Sequence, residues 1–293
     1  MTRRSLSAAA LVLAAVLAGC ASTGGGAAPT ATLDRIKATK TIRLGYRDSS
    51  VPFSFVDRGQ ATPAGYSVDL CQRVVEELRR DLKLPDLQPM WVPVTVETRQ
   101  SAVIGGTVDL ECGSTTNTLS RQEQVDFSLT TFITGASLVA RSGANVGSDL
   151  ASVRIAIIPG TTTDAIIKDA MARTGAGASR TQLLAVKDHA EGLAAVANGT
   201  AEVYATDRAI LIGLILAAPD PRRFALLDRY FSYEPYALMM RRGDPDFRLA
   251  VNRALARLYR SGQVLEIYGK WFGAWGPPSA VTVALYAIEG LPD

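Results

Sequence analysis

The chain has 293 residues, 47% of them apolar and 20% charged, with a formal net charge of +3 at neutral pH. That length holds one large domain or two small ones, and because the charges are well mixed, with no basic block interleaved with aromatics, nucleic acid is not expected as a partner. One histidine, three cysteines without Cys-x-x-Cys spacing and no P-loop argue against a zinc site, a resident cofactor or ATP hydrolysis.

The chain opens with Arg3 and Arg4, an apolar run from Leu6 to Val16, and Leu17-Ala18-Gly19-Cys20. The run is too short to span a bilayer and reads as an export signal. Its last four residues resemble a lipobox, and Cys20 stands where the apolar run gives way to a Gly/Ser/Thr/Ala/Pro stretch. Residues 1–20 are therefore expected to be a lipoprotein signal peptide, with lipid on Cys20 and a flexible tether over 21–32. The alternative is an ordinary signal peptide cut elsewhere. Without Arg3 and Arg4 the mature chain carries about +1. The expectation is an exported protein, lipid-anchored to a cell membrane on its extracytoplasmic side. No other stretch is long enough to span a bilayer, so it is neither channel nor permease. In an oxidising compartment Cys71 and Cys112 are expected to pair. The alternative is two separate buried thiols acting as small apolar residues.

Past the tether, apolar periodicity alternates between the strand and helix patterns. Thr41–Tyr46 reads as a strand and 52–56 as a short strand edge. Ser67–Leu84 is helical, with Val68, Cys71, Val74, Val75 and Leu78 on one face. Leu87–Val94 is a strand, Thr98–Ile104 a short helix ended by Gly105 and Gly106, and Val108–Glu111 a third strand. The pattern then restarts: strand 154–158, helix 161–172, strand 182–186, helix 188–198, strand 202–205, helix 208–217. Alternation of this kind predicts α/β units with mostly parallel open sheets. Two extended apolar segments, Phe132–Ala140 and Tyr233–Met240, join the units, and helices follow over 246–259 and 264–271. If the chain passes out and back, the first unit is discontinuous: lobe 1 over 33–135 and 238–293, lobe 2 over 136–237. Two lobes on two hinge segments suit closure around a ligand.

The candidate chemistry sits where strands turn into helices. Ser114, Thr116 and Arg121 follow the third strand, and their hydroxyls, free N–H groups and guanidinium suit a small carboxylate. Arg47 follows the first strand and Arg99 opens a helix. Gly160-Thr-Thr-Thr163 opens another, where free N–H groups and the helix dipole favour anions. His189 opens a further helix, and Asp207 ends a strand. Taken singly, each is as readily a solvated charge or a helix cap; their common placement is what joins them, since open α/β sheets bind ligands at the carboxyl ends of strands.

Gly45-Tyr-Arg-Asp-Ser-Ser-Val-Pro-Phe-Ser54, Gly65-Tyr-Ser-Val-Asp69, Glu111-Cys-Gly-Ser-Thr-Thr-Asn117, Lys187-Asp188-His189 and Lys270-Trp-Phe-Gly273 resemble the family 3 extracellular solute-binding proteins. The first and third stretches narrow this to the glutamate/aspartate-binding proteins of ABC importers. The resemblance covers nearly the whole chain after the tether. It implies a type II, two-lobed periplasmic-binding-protein-like clamshell with two hinge segments. The implied ligand is glutamate or aspartate, and the implied partners are ABC permease subunits with their ATPase. It implies Arg121, Thr116 and Thr162 on the α-carboxylate, Ser114 and Asp207 on the ammonium, and Arg47, Arg99 and His189 on the side-chain carboxylate. One position departs: the family serine three residues before Arg99 is Val96, which removes one hydroxyl contact.

Counted from sequence, three arginines and a histidine against one aspartate suit a ligand with two carboxylates and one ammonium; an aromatic or cationic amino acid would leave buried guanidiniums unpaired. A monomeric binding protein, not an enzyme, is expected. Two alternatives keep the fold: a tethered sensor without transport, and a dehydratase-like enzyme using His189, Asp207 or Glu111 as acid or base.

Overall fold

The computed structural model describes residues 31–57, 59–147, 150, 152–173 and 182–292. The expected signal peptide, Cys20 and the tether up to residue 30 lie outside them. Helix α1 (Thr32–Thr39) leads into β1 (Thr41–Tyr46), the hairpin β2 (Ser49–Ser50) and β3 (Ser54–Phe55), α2 (Tyr66–Asp81), β4 (Gln88–Pro93), α3 (Arg99–Ile104), β5 (Leu110–Glu111), α4 (Leu119–Gln122) and β6 (Val125–Thr134). The second unit holds β7 (Ala136–Arg141), β8 (Arg154–Ile157), α5 (Thr162–Arg173), β9 (Gln182–Ala185), α6 (His189–Asn198), β10 (Val203–Asp207), α7 (Arg208–Ala217) and β11 (Phe224–Leu226). The chain then returns through β12 (Glu234–Arg241) to α8 (Pro245–Arg260), α9 (Gln263–Phe272) and α10 (Ala280–Glu289).

Two five-stranded sheets result, ordered β4-β1-β5-β12-β6 and β11-β7-β10-β8-β9. This is the expected two-lobed α/β clamshell. Each sheet is parallel except for one reversed strand, β12 in the first and β7 in the second. The reversed strand is in each case the one by which the chain enters from the other lobe. β12 pairs with β6 from Glu234 onward. The expected division at 237/238 therefore falls inside a strand of the first sheet, and the return crossing lies just before Glu234. Among the described residues no helix is long and apolar enough to cross a membrane.

The crossing strands are gripped by one aromatic cluster. Phe132 on β6 and Tyr236 on β12 flank Phe53, with ring centroids 5.0 and 5.1 Å from it, and Phe272 stacks on Phe132 at 4.8 Å. Edge-to-face and offset contacts of this kind add to the stabilisation from burial alone. Two of the sequence motifs meet here: Asp69 of α2 accepts bonds from Lys270 and Trp271 of α9, both at 2.7 Å. The carboxy-terminal helix packs against this lobe through Tyr286, whose hydroxyl lies 2.8 Å from that of buried Tyr66. Helix α1, which periodicity did not reveal, is tied down by the ion pair of its Arg35 with buried Asp109, which Arg43 of β1 also engages.

Cys71 of α2 and Cys112, just after β5, form a disulfide with a Cα–Cα distance of 6.2 Å, closing a 41-residue separation behind the carboxyl ends of the strands. Loop-closure entropy for that separation is worth about 4 kcal/mol in the chain-entropy account. Replacing both cysteines by serine is expected to cost about 2–4 kcal/mol of stability in urea unfolding, with a larger m value because the released loop lets the unfolded chain expand. A loss below about 1 kcal/mol would contradict a stapling role.

Candidate functional site

One pocket is lined by Arg47, Val96, Arg99, Ser114, Thr116 and Arg121 from the first lobe and by Thr161, Thr162, Thr163, His189, Thr206 and Asp207 from the second. All eight residues singled out from sequence for ligand contact meet here, with Val96 among them. Each is delivered by a local rule. Arg47 stands one residue past β1, its N–H bonded to the Ser54 hydroxyl at 2.9 Å. Arg99 is the first residue of α3, and its guanidinium donates to the Thr115 hydroxyl at 2.6 Å. Arg121 lies in α4, whose N-cap Thr118 accepts its N–H, and its guanidinium donates to the Thr116 carbonyl at 2.8 Å. The segment carrying Thr115–Asn117 is itself fixed, because Ala237 donates to the Thr115 carbonyl and Asn117 to that of Pro235.

On the other lobe, Thr162 opens α5. The Thr161 hydroxyl accepts the Asp164 N–H while the Asp164 carboxylate accepts that of Gly160, a reciprocal cap that leaves the first turn facing the pocket. His189 opens α6 next to its N-cap Asp188. Asp207 ends β10 and holds the N-cap position of α7 without a side-chain capping bond.

The lobes touch across the cleft. Thr162 donates to Glu234 at 2.8 Å, and its hydroxyl lies 3.5 Å from that of Thr116. Tyr236 donates to Asp207, which also accepts from Thr163 at 3.4 Å. Behind the first-lobe wall, Glu111 is fully buried and accepts from Thr115 at 2.7 Å, so Thr115 relays between Arg99 and Glu111. Of Glu111, an acid–base candidate on sequence grounds, Oε2 takes the Thr115 bond while Oε1 is buried without a hydrogen-bond partner. A separate surface groove between α2 and α8 is lined by Arg73, Glu76, Glu77, Arg80 and Arg257, which pair with one another.

The pocket is less positive than the sequence count implied, for two reasons. Burial, followed by the nearby charges of Arg47 and Arg99, lowers the His189 pKa to about 3, so the ring is neutral. Glu111 and Glu234 also stand close to the arginines: Glu111 favours the charged form of Arg47, and both favour that of Arg121. Burial and the neighbouring Arg99 lower Arg47 and Arg121 to about 10, which leaves both cationic at neutral pH. The Asp207 carboxyl is raised to about 7, by burial first and by Glu234 second.

Sequence reasoning missed Glu234, Tyr236, Thr115 and Tyr204. Glu234 had a usable signal, as a lone charge inside the apolar return segment. The others are defined by contacts distant in sequence.

Residues 42–274 match the family model of the bacterial extracellular solute-binding proteins, family 3. The chain belongs to this family. It is 38% identical to an L-glutamate/L-aspartate-binding protein of Pseudomonas aeruginosa over 89% of this chain and 86% of the relative. It is 34% identical to a glutamate/aspartate import solute-binding protein of Salmonella typhimurium over 95% and 91% of the two chains. Among solved structures, it resembles an ancestral amino-acid-binding protein that is a precursor of cyclohexadienyl dehydratase, with a TM-score of 0.70 and 26% identity over 82% of this chain and 99% of that one.

As a solute-binding protein with Asp207 and His189 both shifted in its pocket, the molecule carries opposing pH effects. The Asp207 pKa is raised from 3.8. Its stabilisation is full below that value and is lost as pH rises through about 7. The His189 pKa is lowered from 6.5. Its stabilisation is full above that value and is lost as pH falls towards about 3. Going from about pH 7 to about pH 5 without ligand, His189→Gln is expected to gain melting temperature relative to the wild type. Asp207→Asn is expected to lose it over the same interval. Scanning calorimetry checks the pair, and parallel shifts in both variants would contradict the assignment.

Proposed function

We propose that this family 3 solute-binding protein captures an acidic amino acid, glutamate or aspartate, by closing its two lobes, and delivers it to an ABC permease worked by its ATPase. The observation that carries this reading is the convergence of three guanidiniums, Arg47, Arg99 and Arg121, on one pocket whose opposite wall presents Asp207 and neutral His189. Arginine forks bind carboxylates in bidentate fashion. Three of them suit a ligand with two carboxylates, and Asp207 supplies an anionic partner for an ammonium. The names of the Pseudomonas and Salmonella relatives support the same ligand class.

In this reading Arg121, Thr116 and the first turn of α5 at Thr162 take the α-carboxylate, and Ser114 with Asp207 takes the ammonium. Arg47, Arg99 and His189 take the side-chain carboxylate. Val96 offers methyl groups where a hydroxyl would add one contact, which shifts the balance among acidic ligands towards the arginines. The protein works as a monomer held outside the cell membrane by lipid on Cys20. Its hinge lies at Thr134–Ala136 and Phe231–Glu234, where the two crossing segments bond to each other.

Arg121→Ala is expected to abolish binding of every amino acid, because it removes a contact to the carboxylate that all share. Arg47→Ala is expected to cost glutamate about 100-fold while costing glutamine less than about tenfold. Calorimetry with both ligands checks this, and equal losses for both ligands in both variants would contradict the division of roles.

Closure has its own test. A methyl group on Gly213 of α7 would lie 2.6 Å from the Val51 carbonyl oxygen and 2.7 Å from Pro52 of the other lobe. Gly213→Ala is therefore expected to hold the lobes apart and weaken glutamate binding at least about tenfold, although alanine favours the helix by about 1 kcal/mol. Unchanged affinity would contradict closure as the capturing step.

A further inference from the structure

We infer that Tyr204 fixes the tautomer of His189 and thereby helps the site prefer a carboxylate over an amide. Tyr204 lies on β10, the central strand of the second sheet, and is fully buried; its hydroxyl oxygen is 2.7 Å from His189 Nδ1. Among the described residues, the hydrogen bond the phenol makes is the one to His189 Nδ1. The phenol therefore has its own proton to place. Leaving that proton without an acceptor in a fully buried position would cost the full desolvation of the group. His189 Nδ1 is the acceptor at hand. The ring's proton is therefore on Nε2, and the imidazole offers the pocket an N–H.

The packing is built for this contact. Gly192, one turn along α6 from His189, has no side chain, and a methyl there would lie 2.4 Å from the Tyr204 ring. The charged groups around the pair are Arg47 at the end of β1, Arg99 on α3, Asp188 beside His189 and Asp207 at the end of β10. Burial first, and then the two arginines, keep the ring neutral. A neutral ring makes the tautomer decisive. With the proton on Nε2, it donates to a carboxylate oxygen. With the proton on Nδ1, it would turn a lone pair towards that oxygen and would suit the N–H₂ of an amide.

This inference rests on the proposed acidic ligand, but its first test does not. His189 is the only histidine in the chain, so histidine labelled with ¹⁵N gives a single imidazole. Two-bond ¹H–¹⁵N spectra of the ligand-free wild type at neutral pH are expected to show a pyridine-type Nδ1 and a pyrrole-type Nε2. A pyrrole-type Nδ1 would overturn the inference whether or not glutamate binds. Tyr204→Phe is expected to mix or reverse the tautomers; an unchanged spectrum in that variant would overturn the role of the phenol. In calorimetry, Tyr204→Phe is expected to weaken glutamate about tenfold and glutamine less than about twofold. A glutamine side chain at 189 has no tautomer to choose, so adding Tyr204→Phe to His189→Gln is expected to cost glutamate less than about twofold. Equal losses with and without His189 would make Tyr204 a packing residue and overturn the inference. Absence of glutamate binding in the wild type would refute the proposed ligand, and the wild-type spectrum would still decide the tautomer.

Discussion

Three guanidiniums drawn into one cleft set the terms for everything around them. Charge buried away from water is costly unless it is paired or hydrogen-bonded, and like charges held close raise that cost. The chain meets it with short local bonds: Arg99 to Thr115 and on to Glu111, Arg121 to the Thr116 carbonyl. These bonds hold the guanidiniums in place and leave much of their donor capacity facing the pocket. Even so, burial and mutual repulsion lower Arg47 and Arg121 to about 10. A ligand that brings two carboxylates would relieve that tension, which is the physical ground for proposing the cleft as the binding site.

The same constraint explains why two lobes are needed. The first lobe carries the arginines just past β1, at the start of α3 and in α4. The second carries the neutral donors and the single acid, Asp207, at the ends of β8 and β10 and at the helices that follow. The aromatic cluster around Phe53 anchors both crossing strands to the first lobe, so the second lobe moves on short segments next to a firmly held base. The contacts that seal the cleft are hydroxyl bonds such as Thr162 to Glu234 and close backbone approaches such as Gly213 to Val51. Each is weak enough to break when the lobes part.

Much of this was legible in the residues. Alternation in Thr41–Tyr46 and the helical face of Val68, Cys71, Val74 and Leu78 marked their elements within a few positions, because burial of one face writes a period into the sequence. The site was legible for a related reason: polar residues such as Arg47, Ser114 and Asp207 stand out where an apolar strand stops. What stayed hidden was set by contacts far apart in sequence. Nothing local says that Arg35 and Arg43 share Asp109 and so hold α1, or that Tyr286 seats α10 on Tyr66. The charge of His189 also depends on its burial and then on two arginines from the other lobe, and Glu111 and Glu234 stand close to the arginines, so a count of basic residues made the pocket too positive.

Three guanidiniums facing Asp207 across one pocket are the pattern proposed to hold two carboxylates and one ammonium. Isothermal titration of the wild-type protein with L-glutamate, L-glutamine, succinate and L-arginine, one after another under one set of conditions, tests this most directly. The expected result is tight binding of glutamate, binding of glutamine weaker by at least about tenfold, and no detectable binding of succinate or arginine. Binding of arginine or succinate as tight as that of glutamate would contradict it, because arginine would leave the Arg47 and Arg99 forks without a partner and succinate would bring nothing for Asp207 to hold.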